Sequence, residues 1–173
     1  DYKEFIIKGN QEYKARNYKV EGDYSQAAFF LTANAIGNKV EIDDVLANSA
    51  QGDKEAIDIL SRMGMTVQWN KSKNGIIPAE NNDLKATIID GSQCPDIIPV
   101  LSVAAALAKG TTKIIKAGRL RIKECDRLKA VASELTKLGA KIEEKEDGLI
   151  IEGVESLKGG VEVWSWKDHR IAM

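Results

Sequence analysis

Two long, mostly apolar runs stand out in the pattern of hydrophobic and polar positions, and each lies between an aspartate and a glycine. The run YSQAAFFLTANAI follows Asp23 and ends before Gly37, and the run IIPVLSVAAALAK follows Asp96 and ends before Gly110. Aspartate is a favoured N-cap and glycine a favoured left-handed stop, so each run predicts one helix. The second run is apolar on nearly all sides, which indicates a buried helix.

The same elements are predicted after each of these helices. In the second copy the β-rich residues Thr111 to Ile115 predict a strand, and apolar residues at helical spacing predict a helix from about Glu124 to Leu138. Residues 141–144 and 149–152 then predict a hairpin that turns at Glu146-Asp147-Gly148.

The first copy repeats this order. Its strand is predicted at Lys39 to Ile42, its second helix at Asp53 to Met63 and its hairpin turn at Asn74-Gly75. Tyr18 to Val20 and Val161 to Trp164 are predicted as the strands that begin the first and the third copy. Each unit is thus β-α-β-α-β-β, and the predicted fold class is α/β, with the units packed in layers.

The copies are also related by spacing. Asp96 lies 73 residues after Asp23, and a third aspartate, Asp168, lies 72 residues after Asp96. This spacing predicts two complete repeats and the start of a third, so we expect the chain to be a piece of a longer protein. Residues 1–19, with a strand-like stretch from Glu4 to Lys8, are predicted to be a linker and the tail of a preceding lobe. The rest is predicted to be a truncated lobe over 20–173, with repeats near 20–90 and 91–160 and a partial repeat at 161–173.

Composition narrows the class of protein. The formal net charge of −1 argues against non-specific nucleic-acid binding. The longest apolar run, Ile97 to Ala108, has 12 residues and is too short to cross a bilayer, and no signal peptide opens the chain. One histidine, His169, and two isolated cysteines, Cys94 and Cys125, argue against a zinc site. We therefore expect a soluble, cytoplasmic, metal-free protein with no nucleic-acid or membrane partner.

The densest chemical signal is the basic segment GRLRIKECDRL, which leads into the second amphipathic helix. If this segment is extended, Arg119, Arg121 and Lys123 project from one face. Cations at the beginning of a helix oppose its dipole, and an anion docked there would resolve the conflict. The alternative is a solvated charged turn, in which Glu124 and Asp126 neutralise the cations.

The three regularly spaced aspartates are the second signal. Asp23, Asp96 and Asp168 can all be simple N-caps. At Asp96, however, the preceding loop GSQCP can present the carboxylate to a ligand, and at Asp168 the neighbouring Arg170 adds a cation at a helix beginning. If the repeats direct their helix beginnings to one side, Arg127, Arg170 and Asp96 converge, which suits a small substrate with several negative charges.

Four blocks of the sequence resemble the 5-enolpyruvylshikimate-3-phosphate synthase family. RIKECDRL resembles the family's KE-[Ser/Thr]-DR signature, and three further blocks follow the family's order and spacing: VEGDYSQAAFFL, PDIIPVLSVAAALAKGTT and DHRIAM. The sister UDP-N-acetylglucosamine enolpyruvyl transferases share the fold but lack the Lys-Glu-x-Asp-Arg run. The resemblance implies the inside-out α/β barrel of the enolpyruvyl transferases, in which two lobes of three repeats enclose the active site.

The resemblance also implies an activity. The full-length enzyme would be a cytoplasmic monomer of the shikimate pathway, which makes aromatic amino acids. It would move the enolpyruvyl group of phosphoenolpyruvate to shikimate 3-phosphate, release phosphate and need no cofactor or metal. We expect the isolated chain to be inactive, because most of the first lobe has no counterpart in it. The alternatives are an enzyme like the UDP-N-acetylglucosamine enolpyruvyl transferases and a non-catalytic anion-binding domain of the same fold.

The matching motifs imply roles for five residues. Asp96 would contact the shikimate ring hydroxyls and accept a proton, and Lys123 would bind shikimate 3-phosphate. Glu124 would act catalytically near the phosphoenolpyruvate methylene group. Arg127 and Arg170 would bind the carboxylate and phosphate of phosphoenolpyruvate.

One position departs from the family pattern. Cys125 stands where the family usually has serine or threonine. A thiol at a cationic helix beginning predicts a lowered pKa and unusual reactivity.

Overall fold

The structure, a computed structural model, describes residues 3–78 and 83–173 and contains two similar units followed by a short helix. The first unit comprises α1 (Tyr24–Ala35), β1 (Ile42–Asp43), α2 (Glu55–Arg62), β2 (Val67–Trp69) and β3 (Gly75–Pro78). The second comprises β4 (Ile88–Asp90), α3 (Ile98–Leu107), β5 (Thr111–Ile115), α4 (Arg127–Lys137), β6 (Lys141–Lys145) and β7 (Gly148–Glu152). Helix α5 (His169–Ala172) comes last. The α/β fold class is confirmed.

Each unit has its own sheet. The first sheet has the order β1-β3-β2 and is antiparallel, and the second has the order β4-β5-β7-β6. In the second sheet β4 is parallel to β5, while the predicted hairpin pairs Lys141 with Glu152 and Lys145 with Gly148. A parallel pair requires a crossover connection, and here α3 provides it.

The two units share one hydrophobic core. Helix α1 packs against α2 and α3, and α3 also packs against α4 and β7. Leu31, Leu60, Leu101, Leu128 and Ile151, one from each of these elements, are fully buried in the same cluster. At about 2 kcal/mol for each buried leucine or isoleucine, this core ties the helices of both units together. Helix α3 is buried as predicted.

The predicted helix ends are confirmed where they depend on local caps. The side chains of Asp23 and Asp168 accept hydrogen bonds from the backbone of Ser25 and Arg170, at the beginnings of α1 and α5. Gly37 and Gly110 have φ angles of 109° and 104°, in the left-handed region that glycine tolerates best.

The helix that bears the basic segment begins later than predicted. Helix α4 begins at Arg127 rather than near Glu124, because the carboxylate of Asp126 caps it by accepting from the Lys129 backbone at 3.1 Å. A carboxylate three residues before a free backbone N–H has the spacing of an N-cap, so the helix begins directly after Asp126 and not near Glu124.

Several predicted strands are wrong. Neither sheet includes Glu4 to Lys8, Tyr18 to Val20 or Val161 to Trp164. The strand predicted at Lys39 to Ile42 is reduced to β1, which pairs with β3 at two positions only. A strand needs a neighbour to satisfy its backbone, and the described residues of the two sheets do not provide one for these stretches. No helix in the described ranges is long and apolar enough to cross a membrane.

Candidate active site

Four helix beginnings are joined by hydrogen bonds between side chains. Arg127 at the beginning of α4 contacts Asp168, the cap of α5, and Asp96, in the turn before α3. Arg170 on α5 contacts Ser25 at the beginning of α1. Helix beginnings expose N–H groups and carry positive partial charge, so this end of the protein favours anions.

Arg127 is at the centre of this cluster. Its side chain is only 1% exposed. Its Nε and Nη2 donate to the two carboxylate oxygens of Asp168 at 2.8 and 3.3 Å, Nη1 donates to Asp96 at 2.8 Å, and Nη2 donates to Glu124 at 2.7 Å. Although burial favours the neutral form, the bonds to Asp168 and Asp96 raise the pKa of Arg127. A guanidinium fork shared by three carboxylates is held in a fixed orientation.

Asp96 does not cap α3, contrary to the prediction. A 3-10 turn, Pro95–Ile97, precedes α3, and this places Asp96 before the first helical N–H groups rather than over them. Its Oδ1 instead accepts from Arg127 and lies 3.2 Å from Nζ of Lys123. Although partial burial favours the neutral acid, hydrogen bonds from Lys123 and Arg127 lower the pKa of Asp96. The carboxylate is therefore ionised at neutral pH and a third exposed, so it can accept a proton or a hydroxyl hydrogen bond.

The basic segment is not extended. Gly118–Ile122 forms a 3-10 helix, so the three cations do not share a face. Arg121 turns to Asp126 and Glu144, Arg119 donates to the carbonyl of Ser92, and Lys123 alone of the three contacts Asp96. The alternative for this segment was a solvated charged turn in which neighbouring acids neutralise the cations. Arg121 pairs with Asp126 in this way, but Arg127 is buried and not solvated.

Arg170 is linked to the cluster indirectly. Its backbone N–H donates to Asp168, which also binds Arg127. Its guanidinium donates to Oγ of Ser25 at 2.6 Å and to the Ser25 carbonyl at 3.2 Å. Within the described residues its buried Nε has no hydrogen-bond partner. The structure thus brings Asp96, Lys123, Glu124 and Arg127 into direct contact and directs Arg170 to the neighbouring helix beginning.

Sequence reasoning missed two residues at this site. Ser25 holds the guanidinium of Arg170, and Asp53 lies in an open cleft of about 380 Å³ that Asp96 and Arg119 also line. Burial and the negative charge of Asp96 raise the pKa of Asp53. The repeat could have indicated Asp53, because Asp53 precedes α2 in the first unit as the basic segment precedes α4 in the second.

Cys125 is less acidic than an ordinary thiol, so the predicted lowering of its pKa is wrong. Burial and the negative charge of Asp168 raise the pKa of Cys125 to about 11, and its Sγ lies 3.5 Å from Oδ2 of Asp168. Arg127 does lower the pKa of Cys125, as expected of a neighbouring cation, but burial and Asp168 together raise it by more.

The carboxylates of the cluster converge on a guanidinium and not on a metal position. Across residues 3–78 and 83–173, no group of three or more histidine, cysteine, aspartate and glutamate side chains is arranged to hold a metal ion.

Solved structures with the same arrangement of elements define the class of the fold. The EPSP synthase from Acinetobacter baumannii superposes with a TM-score of 0.75 and 33% identity, over 88% of this chain and 38% of that protein. The enolpyruvyl transferase NikO from Streptomyces tendae superposes with a TM-score of 0.56 over 78% of this chain and 31% of that one, at 19% identity. The fold is that of the enolpyruvyl transferases.

The sequence comparisons identify the family. The model of EPSP synthase (3-phosphoshikimate 1-carboxyvinyltransferase) matches residues 1–173. Proteins named 3-phosphoshikimate 1-carboxyvinyltransferase from Clostridium beijerinckii and Clostridioides difficile are 67% and 66% identical to the whole chain. The chain belongs to the EPSP synthase family, and it spans 39% of the length of these two relatives.

Proposed function

We propose that this chain supplies part of the active site of an enzyme that transfers the enolpyruvyl group of phosphoenolpyruvate to shikimate 3-phosphate in aromatic amino-acid biosynthesis. The observation that supports this function most strongly is the cluster of Asp96, Lys123 and Glu124 around buried Arg127, at the junction of several helix beginnings. Relatives that are 67% and 66% identical carry the name of the corresponding transferase.

The proposed chemistry needs both positive and negative groups. Phosphoenolpyruvate carries a carboxylate and a phosphate, and fixed guanidinium groups stabilise such anions without reorganising. Arg127 and Arg170 take this role. Their own carboxylate and hydroxyl partners occupy them in the structure, so the substrate's oxygens replace some of these partners on binding.

The carboxylates move protons. Protonation of the phosphoenolpyruvate methylene creates cationic character at the adjacent carbon, and a hydroxyl of shikimate 3-phosphate attacks that carbon. A base then removes a proton from the new methyl group as phosphate leaves, which restores the double bond. Glu124, with a half-exposed side chain, acts near the methylene, and ionised Asp96 accepts the hydroxyl proton while Lys123 binds the shikimate 3-phosphate.

We also propose the boundaries and the setting of this fragment. Residues 20–173 form a truncated lobe with repeats near 20–90, 91–160 and 161–173, and residues 1–19 join it to the preceding lobe. The full-length enzyme is a cytoplasmic monomer without a cofactor. The isolated chain is inactive, because it spans less than half of its relatives.

Titration with shikimate 3-phosphate tests the proposal. The full-length parent protein binds this ligand. Asp96→Ala weakens the binding of shikimate 3-phosphate by about tenfold or more, and Arg127→Ala weakens the binding of phosphoenolpyruvate by a similar factor. Asp83→Ala and Arg62→Ala are matched controls, since both residues form exposed ion pairs away from the cluster. Equal binding by the wild type and the Asp96 variant, or no turnover by the full-length wild type, would contradict the function.

A further inference from the structure

The segment that carries Asp168 and Arg170 to the site lacks regular structure. Residues 161–167, here called the strap, form neither a helix nor a strand. Trp166 and Lys167 have φ angles of 54° and 56°, which non-glycine residues adopt at an energetic cost. Helix α5 after it has only four residues. The strap therefore needs contacts with other elements to hold α5 in place.

Glu134 on α4 provides these contacts. Its carboxylate accepts from the Trp164 backbone N–H and from the Trp166 indole N–H, both at 2.9 Å. It also accepts from Nζ of Lys137 at 2.7 Å and from the Ser133 hydroxyl at 3.2 Å. Glu134 is only 7% exposed, and a carboxylate has about four lone-pair positions, so its hydrogen-bonding capacity is used in full.

Helix α4 thus holds both the strap and Asp168, the residue that follows it. Arg127 at its beginning binds Asp168, and Glu134, seven residues or about 10 Å further along the helix, binds the two tryptophans. The indole rings of Trp164 and Trp166 are in contact, with their centroids 4.9 Å apart and their planes tilted by 31°, which stiffens the part of the strap that Glu134 holds. The position of α5 relative to α4 therefore depends on both contacts.

We propose that Glu134 is a positioning residue for the phosphoenolpyruvate end of the active site, because it fixes the strap that leads into Asp168 and Arg170. This inference rests on the proposed function. Glu134 acts without touching substrate, through Arg170, whose guanidinium reaches Ser25 only when α5 is correctly placed. Glu134 and Arg170 also line one small cavity with Phe29 and Val131, so the residue that holds the strap lies close to the side chain that it positions.

The test is a comparison of steady-state kinetics in the full-length parent protein. Glu134→Gln keeps the shape of the side chain but replaces one acceptor oxygen with a donor, and it raises KM for phosphoenolpyruvate by about tenfold. KM for shikimate 3-phosphate changes less than about twofold, because Lys123 and Asp96 lie on other elements. Glu152→Gln is the matched control, since Glu152 forms an exposed pair with Lys141. Equal rises in both KM values, or the same rise in the control, would overturn the proposal.

A second variant approaches the same contact from the strap. Trp166→Phe removes the indole donor and leaves Glu134 intact, and it raises KM for phosphoenolpyruvate in the same direction by a smaller factor. Both variants change the near-ultraviolet circular dichroism of this tryptophan pair. A changed spectrum with an unchanged KM in both variants would show that the contact is only structural and would overturn the proposal.

Hydrogen exchange separates this proposal from the proposed function. The Arg170 amide donates to Asp168, so its exchange rate reports on the position of α5 whether or not the protein is an enzyme. Glu134→Gln accelerates this exchange by about tenfold and leaves the amides of α1 unchanged. If the wild type shows no turnover and this acceleration is observed, only the proposed function fails. Unchanged exchange at Arg170 would overturn the positioning role.

Discussion

Removal of the Arg127 guanidinium is the perturbation that we expect to cost the most stability. The side chains of Arg127 and Asp168 are 1% and 0% exposed, so Arg127→Met leaves the Asp168 carboxylate buried without a counter-charge. Breaking a buried ion pair from one side costs about 3–5 kcal/mol. We expect a loss of about 4 kcal/mol in the free energy of unfolding for this change.

Removal of the partner's charge should cost less. In Asp168→Asn, the remaining oxygen can still cap α5, and Arg127 keeps its bonds to Asp96 and Glu124. We expect about 2 kcal/mol for the loss of the charged hydrogen bonds. The double variant leaves no uncompensated charge at this pair, and the carboxylates of Asp96 and Glu124 are exposed enough for water to solvate them. We therefore expect about 3 kcal/mol for the double change, which is about 3 kcal/mol less than the sum of the two single changes.

The assay is urea unfolding followed by circular dichroism at pH 7. The control is Arg62→Met, because Arg62 forms an exposed pair with Glu55 and should contribute less than about 0.5 kcal/mol. Arg127→Met can prove too unstable for its unfolding to be measured. In that case a cooperative unfolding transition in the double variant establishes that the second substitution offsets part of the stability lost in the first. Additive single effects, or a loss below about 1 kcal/mol for Arg127→Met, would refute the reasoning.

Three further predictions concern single side chains. Although burial favours the neutral acid, hydrogen bonds from Lys137 and the two tryptophans lower the pKa of Glu134 to about 2. The ionised Glu134 therefore stabilises the fold fully above the pKa that it has in the unfolded chain, and this stabilisation is lost as the pH falls toward 2. Glu134→Gln should therefore flatten the acid side of the stability curve, and an unchanged slope below pH 4.5 would contradict this. Cys125 should react with iodoacetamide more slowly at pH 7 in the folded chain than in the chain unfolded by urea. A pKa of about 11 leaves a fraction of roughly 10⁻⁴ of the Cys125 side chain as the reactive thiolate at this pH. Equal rates in the folded and the unfolded chain would count against the raised pKa. Gly148→Ala should lower the free energy of unfolding in urea by about 2 kcal/mol or more, since a Cβ there would clash with the Ile114 carbonyl oxygen. Gly159→Ala is the control, because a Cβ there would meet no atom within 4 Å, and it should change this free energy by less than about 0.5 kcal/mol. Similar losses in both variants would refute the steric argument.

The parts of the fold that depend on neighbouring residues could be predicted from the sequence. Asp23 caps α1 through the backbone of Ser25, two residues away, and the β6–β7 hairpin forms around a short turn. These interactions are local, so the residue pattern is enough to indicate them. The predicted strands at 18–20 and 161–164 required partners elsewhere in a sheet, and no pattern within those stretches could establish whether such partners exist.

The motifs were enough to nominate candidate site residues, but they could not give the arrangement of those residues. The motifs indicated Asp96, Lys123, Glu124, Arg127 and Arg170, and the structure brings the first four into contact. The bond between Arg127 and Asp168 joins residues 41 positions apart, and the bond between Arg170 and Ser25 joins residues 145 positions apart. Such contacts depend on tertiary packing. They also explain the failure at Cys125, because burial and the Asp168 carboxylate raise the pKa of this thiol by more than Arg127 lowers it.

A crystal structure of the full-length parent protein with shikimate 3-phosphate bound would test the central claim most directly. We expect ligand oxygen atoms within hydrogen-bond distance, about 3.2 Å or less, of Nζ of Lys123 and of the Asp96 carboxylate. Addition of phosphoenolpyruvate or a stable analogue should then place an anionic group on Arg127 in exchange for one of its present carboxylate partners. Ligand bound away from these helix beginnings, with Arg127 still held by Asp96, Glu124 and Asp168, would contradict the account.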